Sequence, residues 1–137
     1  MSLRLISVFL SIFLLFPPPT KASHHPEEFL RSIQGRKDEG QQIVKHFCSS
    51  CHAKEPLIPL GAPRIGQEAD WLPRFEQGML TLMTHTDEGF RAMPPRGGCF
   101  ECSEEQLLLA ILAMLPSSLR KQALTELQDH KKSTKLK

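Results

Sequence analysis

HFCSSCHAK, residues 46–54, decides how this chain is read. Cys48 and Cys51 are separated by two serines, and His52 follows the second cysteine directly. Upstream, Asp38 is expected to cap a helix running to about Phe47. Ile43, Val44 and Phe47 fall on one side of that helix at spacings of three and four, so it delivers the chain to Cys48. Downstream, AKEPLIPLGAPRIGQ (53–67) carries Pro56, Pro59, Pro63, Gly61 and Gly66 and predicts an extended loop. Asp70 is expected to cap a second helix containing Trp71, Leu72 and Phe75, with Pro73 in its first turn. Gly78 ends or bends it, and Met79, Leu80, Leu82 and Met83 suggest a third short helix. AMPPRGG (92–98) is again loop. Ser103 with Gln106 three residues on forms a capping box. It opens a helix from 104 to about 115 with Leu107, Leu108, Ile111, Leu112 and Leu115 as a broad apolar face, stopped by Pro116. Leu119, Leu124 and Leu127 predict one further helix that frays into lysines. The pattern contains no convincing strand and no internal repeat.

The two ends differ from this middle. Residues 1–22, MSLRLISVFLSIFLLFPPPTKA, have a basic start at Arg4 and an apolar run from Leu5 to Phe16. Pro17, Pro18 and Pro19 follow, then a small residue at Ala22. That is the layout of a cleaved secretory signal, and the run is short against the roughly 20 apolar residues of a membrane span. An anchor retained at this end is the competing reading. Residues 23–37 are polar and expected to be a flexible lead-in, although Phe29, Leu30 and Ile33 suit a short helix. The folded domain is expected over 38–116, with a basic tail over 117–137. That tail carries Arg120, Lys121, Lys131, Lys132, Lys135 and Lys137 against Glu126 and Asp129, a net of +4. Residues 23–116 carry a net of about −4, so the exported chain is near neutral. No dense basic face with interleaved aromatics is present, which argues against nucleic-acid binding.

The four cysteines fall as two pairs, Cys48/Cys51 and Cys99/Cys102. A four-cysteine zinc site would need the pairs to close across residues 52–98, longer than the usual ribbon spacing, and an oxidising compartment disfavours free zinc thiolates. A thioredoxin-like redox pair needs a strand–helix setting that the pattern lacks. C-x-x-C-H in an exported chain is instead the attachment signature of haem c. Each sulfur adds to one porphyrin vinyl group, and two intervening residues on a tight turn give the required separation. The next side chain, His52, then falls under the ring to ligate iron. Short helices and long loops bury little apolar area in a chain of this size, and haem would complete the core.

The sixth ligand is less constrained. Met and His are the usual choices. Met79, Met83 and Met114 sit at helix-face spacings and read as core, and His46 precedes the attachment turn. Met93 stands in a loop directly before Pro94-Pro95, which fix the backbone around it, and lies 41 residues after His52. Met93 is the favoured ligand and His85 the reserve.

GQQIVKHFCSSCH, APRIG and above all MPPRGGCFECSEEQLLLAI resemble the class I cytochromes c, specifically the cytochrome c5 group, over roughly Gly40 to Leu115. The resemblance implies an all-α, small cytochrome c fold of about four short helices and long loops around one haem. It implies thioether links at Cys48 and Cys51, and axial iron ligands at His52 and Met93. It also implies a Pro63 carbonyl orienting the His52 ring and a Gly40 that lets the first helix approach the last. Finally, it implies a short-range structural disulfide between Cys99 and Cys102.

These features predict an exported, periplasmic one-electron carrier rather than an enzyme. Its partners would be redox proteins such as a membrane oxidase or reductase, met in transient contacts. The competing expectations are a haem sensor or small peroxidase using His85 and Arg91, and a fixed subunit of a larger oxidoreductase. The tail reads first as a solvated, partly disordered end. Its lysines also suit weak contact with an acidic partner or a membrane.

Overall fold

A computed structural model describes residues 25–135. The boundary expected at residue 22 and the final Lys137 lie outside the described residues. The described residues form helices joined by loops, with no strand among them. One isolated antiparallel bridge pairs Phe90 with Met93.

The chain enters through α1, Pro26–Ile33. Pro26 occupies the first helical turn, Glu27 and Glu28 face the positive helix end and Arg31 the negative one. Leu30 and Ile33 are both buried in the main core. The described part of the lead-in expected to be flexible, residues 25–37, is therefore an ordered part of the domain, because two apolar residues three apart are enough to anchor two turns. Gly35, at φ 77°, turns the chain into α2, Glu39–Ile43. Asp38 precedes α2 but does not cap it with its side chain. Its carboxylate instead accepts from the Arg36 guanidinium and the Gln42 amide. These charge-assisted contacts hold the Asp38 carboxyl down to about 2. A π-helical turn, Val44–Cys48, follows without a break and leads into α3, Ser49–His52. Such a turn accommodates one extra residue and commonly marks a functional site.

α4, Glu68–Phe75, begins one turn earlier than expected. Asp70 lies inside the helix rather than at its cap, and Pro73 falls beyond the first turn. The physical reason is a competing partner: Asp70 accepts from the backbone N–H of Arg64 at 3.1 Å and from its side-chain Nε at 2.7 Å. Gly78 (φ 89°) separates α4 from α5, Met79–Glu88. The N-terminus of α5 is capped from far away, by Glu126 Oε1 accepting from Met79 N–H at 2.9 Å.

α6, Glu104–Met114, opens on the expected capping box, with Ser103 Oγ accepting from Gln106 N–H and Gln106 Oε1 accepting from Ser103 N–H. It crosses α2 closely. A Cβ on Gly40 would stand 2.3 Å from the Leu109 carbonyl oxygen, so only glycine fits there. Gln106 also donates through Nε2 to Glu39 Oε1 at 3.0 Å. Glu39 is only 5% exposed, and its other oxygen accepts from Gly35 N–H. This buried carboxylate thus joins the α1–α2 turn to α6. Gln106→Glu would satisfy an isolated capping box but would here set a second carboxylate against Glu39. It is expected to cost about 2–3 kcal/mol, read as a lower urea midpoint at unchanged slope. Loss of less than about 0.5 kcal/mol would show that the bridge is dispensable.

α7, Ser117–Lys135, is a continuous helix of 19 residues rather than a frayed tail. Leu119 and Ala123 are buried and Leu127 packs against the core. Leu124, expected on the same face, is exposed. The inward positions recur every four residues, and 124 falls off that register. Arg120 Nη2 donates to the Leu115 carbonyl at 2.9 Å, satisfying the open end of α6.

Candidate cofactor site

A cavity of about 250 Å³ lies between the Cys48–His52 turn, the 60–63 loop, α5, the Met93 loop and α6. Cys48 and Cys51 both line it, half-buried and unpaired. Burial, with the neighbouring Cys51 adding to it, pushes the Cys48 thiol up to about 11. His52 is buried on the same wall. Its Nδ1 lies 2.8 Å from the Pro63 carbonyl oxygen. A carbonyl only accepts, so Nδ1 carries the proton and the Nε2 lone pair is left for a ligand. Desolvation lowers the His52 pKa, the Pro63 hydrogen bond opposes this, and the Arg74 charge adds to the lowering. The net direction favours the neutral imidazole, which is the ligating form.

The loop that orients His52 is itself fixed at several points. Ile65 N–H donates to the His52 carbonyl at 2.8 Å, and Gly66 N–H to the Met114 carbonyl at 2.8 Å. Trp71 Nε1 donates to the Arg64 carbonyl at 2.9 Å, while its ring lies near-parallel to that of His52 with centroids 6.3 Å apart. The Arg64 hydrogen bonds hold the Asp70 carboxyl down to about 2, so this tether is intact at neutral pH and is lost only as pH falls toward that value.

Met93 lines the cavity from the opposite loop. Phe90 N–H donates to the Met93 carbonyl at 3.1 Å and Met93 N–H to the Phe90 carbonyl at 3.0 Å, closing a tight hairpin. Gly89 makes room for it: a Cβ there would meet the Met93 carbonyl at 2.8 Å and the Pro95 nitrogen at 2.9 Å. Beyond Pro94, the chain turns through a short 3₁₀ segment, Pro95–Gly98, in which Arg96 adopts φ 58°. The Arg96 guanidinium donates to the Asp87 carboxylate on α5 and to the Cys102 carbonyl. Cys99 and Cys102 form a disulfide with Cα atoms 5.4 Å apart, and Cys99 lies on the cavity wall. With that bond made, a four-cysteine zinc site is excluded.

Other candidates separate cleanly. Met79 is fully buried in the core and Met83 packs against it, both away from the cavity wall. Met114 reaches the wall from α6. His46 stacks on Phe29 with centroids 3.9 Å apart, off the cavity. His85 lines the cavity and stacks on Phe90 at 4.1 Å, with the Arg91 guanidinium 5.2 Å from the same ring. The motifs alone assign no role to Trp71, Arg74 or the Arg96 clasp. The single Trp and the arginine inside the MPPRGG block were the signals available.

The donor set fits haem c. Two thiols stand on one helical stretch. An imidazole has its second nitrogen committed to a carbonyl, and a thioether faces the same space. Apart from these the wall is mostly apolar, and its charged side chains are the arginines 74, 91 and 96 with no carboxylate among the described residues, which suits the carboxylates that a porphyrin carries.

Comparison with known proteins agrees. The family described as "Cytochrome C oxidase, cbb3-type, subunit III" matches residues 35–111. The chain is 37% identical over 85 residues to cytochrome c5 of Ectopseudomonas mendocina, covering 61% of this chain and 94% of that protein. It is 34% identical over 79 residues to cytochrome c5 of Azotobacter vinelandii, covering 56% and 92% respectively. Cytochrome c-555 of Chlorobaculum tepidum is 33% identical over 83 residues, 58% of this chain and 74% of that protein. The chain belongs to the class I c-type cytochromes, in the cytochrome c5 group, and its cofactor is a single covalently attached haem c.

Proposed function

We propose that this electron-carrier cytochrome is an exported, monohaem member of a respiratory chain. Cys48 and Cys51 are its thioether links, and His52 and Met93 its axial ligands. The observation that carries the reading is the pairing across one cavity of an imidazole oriented by Pro63 and a methionine held in a closed hairpin. When bound, the haem supplies an iron that alternates between ferric and ferrous states. The chain's part is to keep both ligand positions occupied, exclude water from the ring faces and bias the couple. A methionine sulfur favours the ferrous form and raises the potential. Neutral His52, with its Nδ1–H given to a backbone carbonyl, is a firmly oriented donor. With both axial positions filled, no position remains for a substrate, so the reading is a carrier and not a catalyst.

The 1–22 segment supports export, and export with haem c supports a periplasmic location. None of the helices among the described residues is long and apolar enough to cross a membrane. The partners proposed are redox proteins, a membrane oxidase or reductase among them, met in weak and short-lived contacts. A second reading is a fixed subunit of a larger oxidoreductase. It draws on the family description, which names an oxidase subunit. Co-purification with a membrane complex after salt washing would favour it.

The absorption spectrum of the ferric protein tests the ligand set. The weak near-red charge-transfer band of methionine-ligated ferric haem is expected. Bound haem without that band would remove Met93 from the assignment and bring His85, stacked on Phe90 at the same cavity, forward as ligand.

A further inference from the structure

We propose that the outward face of α7 docks on an anionic phospholipid membrane. The inward face is fixed by Leu119, Ala123 and Leu127, which pack in or against the core at intervals of four. Roughly opposite, Lys121, Leu124, Gln128, Lys131 and Lys135 follow one another at spacings of three and four, with Lys132 beside them. All six are exposed, and Leu124 is 46% exposed although it is apolar. At 1.5 Å per residue the stripe runs about 20 Å along the helix. α7 carries two acidic residues. Glu126 is turned inward to cap α5, and the exposed Asp129 stands at the edge of the stripe, three residues before Lys132. The result is a face with four lysines and a single carboxylate, Asp129, at its edge, on a domain whose residues 23–116 are net negative.

The chemistry of the face selects its occupant. Protein interfaces are enriched in arginine and aromatic side chains and depleted of lysine, because they reward forked or flat groups in fixed geometry. This stripe has neither. Lysine ammonium groups are point charges that suit an array of lipid phosphates of no set arrangement. A single exposed leucine among them suits the headgroup boundary. The inference deepens the carrier reading and rests on it for its purpose: a carrier held near a membrane searches for its membrane partners over a surface.

The test is co-sedimentation of the holoprotein with phosphatidylcholine vesicles, with and without about one third phosphatidylglycerol. Each lysine near such a surface contributes about fivefold to partitioning. Wild type is therefore expected to bind the anionic vesicles and release at about 1 M salt, where the Debye length is about 3 Å. Lys131→Gln, Lys132→Gln and Lys135→Gln together are expected to lower the partition coefficient by about two orders of magnitude, with far-UV dichroism unchanged. Equal binding to neutral and anionic vesicles, or undiminished binding by the triple variant, would overturn the proposal. So would retention on immobilised polyglutamate without vesicle binding, which would assign the face to an acidic protein. The near-red band, recorded on the same samples, reports on the carrier reading separately.

Discussion

Met93→Ala is expected to keep haem attached through Cys48 and Cys51 while opening the iron to added ligands. The ferrous variant should bind carbon monoxide stoichiometrically where the wild type does not, and the ferric variant should lose the near-red band. Its reduction potential should fall by something on the order of 100 mV, given that axial ligands move haem potentials over about 0.8 V. The hairpin geometry makes the variant informative. The Phe90–Met93 hydrogen bonds are backbone to backbone and do not depend on the methionine side chain. The loop is also held by the Arg96 clasp and the adjoining disulfide. Truncation at 93 therefore removes a sulfur without releasing the loop. If carbon monoxide still fails to bind, another side chain fills the position, and His85 on the same cavity is the first to replace next.

The second large effect is on stability. In an ordinary helix, Gly→Ala would stabilise by about 1 kcal/mol. At Gly40 the sign is expected to reverse. The added methyl would meet the Leu109 carbonyl oxygen at 2.3 Å, the Leu109 carbonyl carbon at 2.8 Å and the Ala113 Cβ at 3.3 Å. Two of these atoms are backbone, so no rotamer change relieves the clash and α2 and α6 must move apart. A loss of about 3 kcal/mol is expected, read as a fall of more than 10 °C in the melting temperature of the holoprotein. An unchanged or raised melting temperature would mean that the two helices do not cross at this distance. The site would register the shift too, because α2 continues through the π turn into Cys48 and α6 lines the cavity.

These two positions differ in what could be read from residues alone. The Cys48–His52 turn, Met93 before its prolines and the Ser103 capping box announce themselves through local chemistry, while the roles of Gly40 and Pro63 are legible only through the resemblance to the cytochrome c5 group. What stayed hidden was set by partners distant in the chain. Glu126 caps a helix 47 residues away, and Gln106 meets Glu39 across 67. Asp70 looked like a cap because aspartate before an apolar run usually is one, but the Arg64 side chain and N–H outcompeted the helix end. The helices at 26–33 and 117–135 are hard to read from sequence for a related reason. Their apolar residues are sparse, and sparse residues anchor a helix only where the body offers a groove. Leu30, Ile33, Leu119 and Ala123 all find one.

The Arg96 clasp has a consequence for speed. An electron moves in the instant when the surroundings of donor and acceptor match. Every bond length or loop position that differs between the oxidised and reduced forms raises the barrier to that match. The loop bearing Met93 is tied to α5 through Asp87, to the disulfide loop through the Cys102 carbonyl and to itself through Phe90. Opposite, His52 is tied through Pro63 to a loop with its own three anchors. A site restrained on both sides has little room to rearrange between the two charge states. With His52 and Met93 as the proposed iron ligands, a low reorganisation energy is expected, to be read as rapid self-exchange between the oxidised and reduced populations.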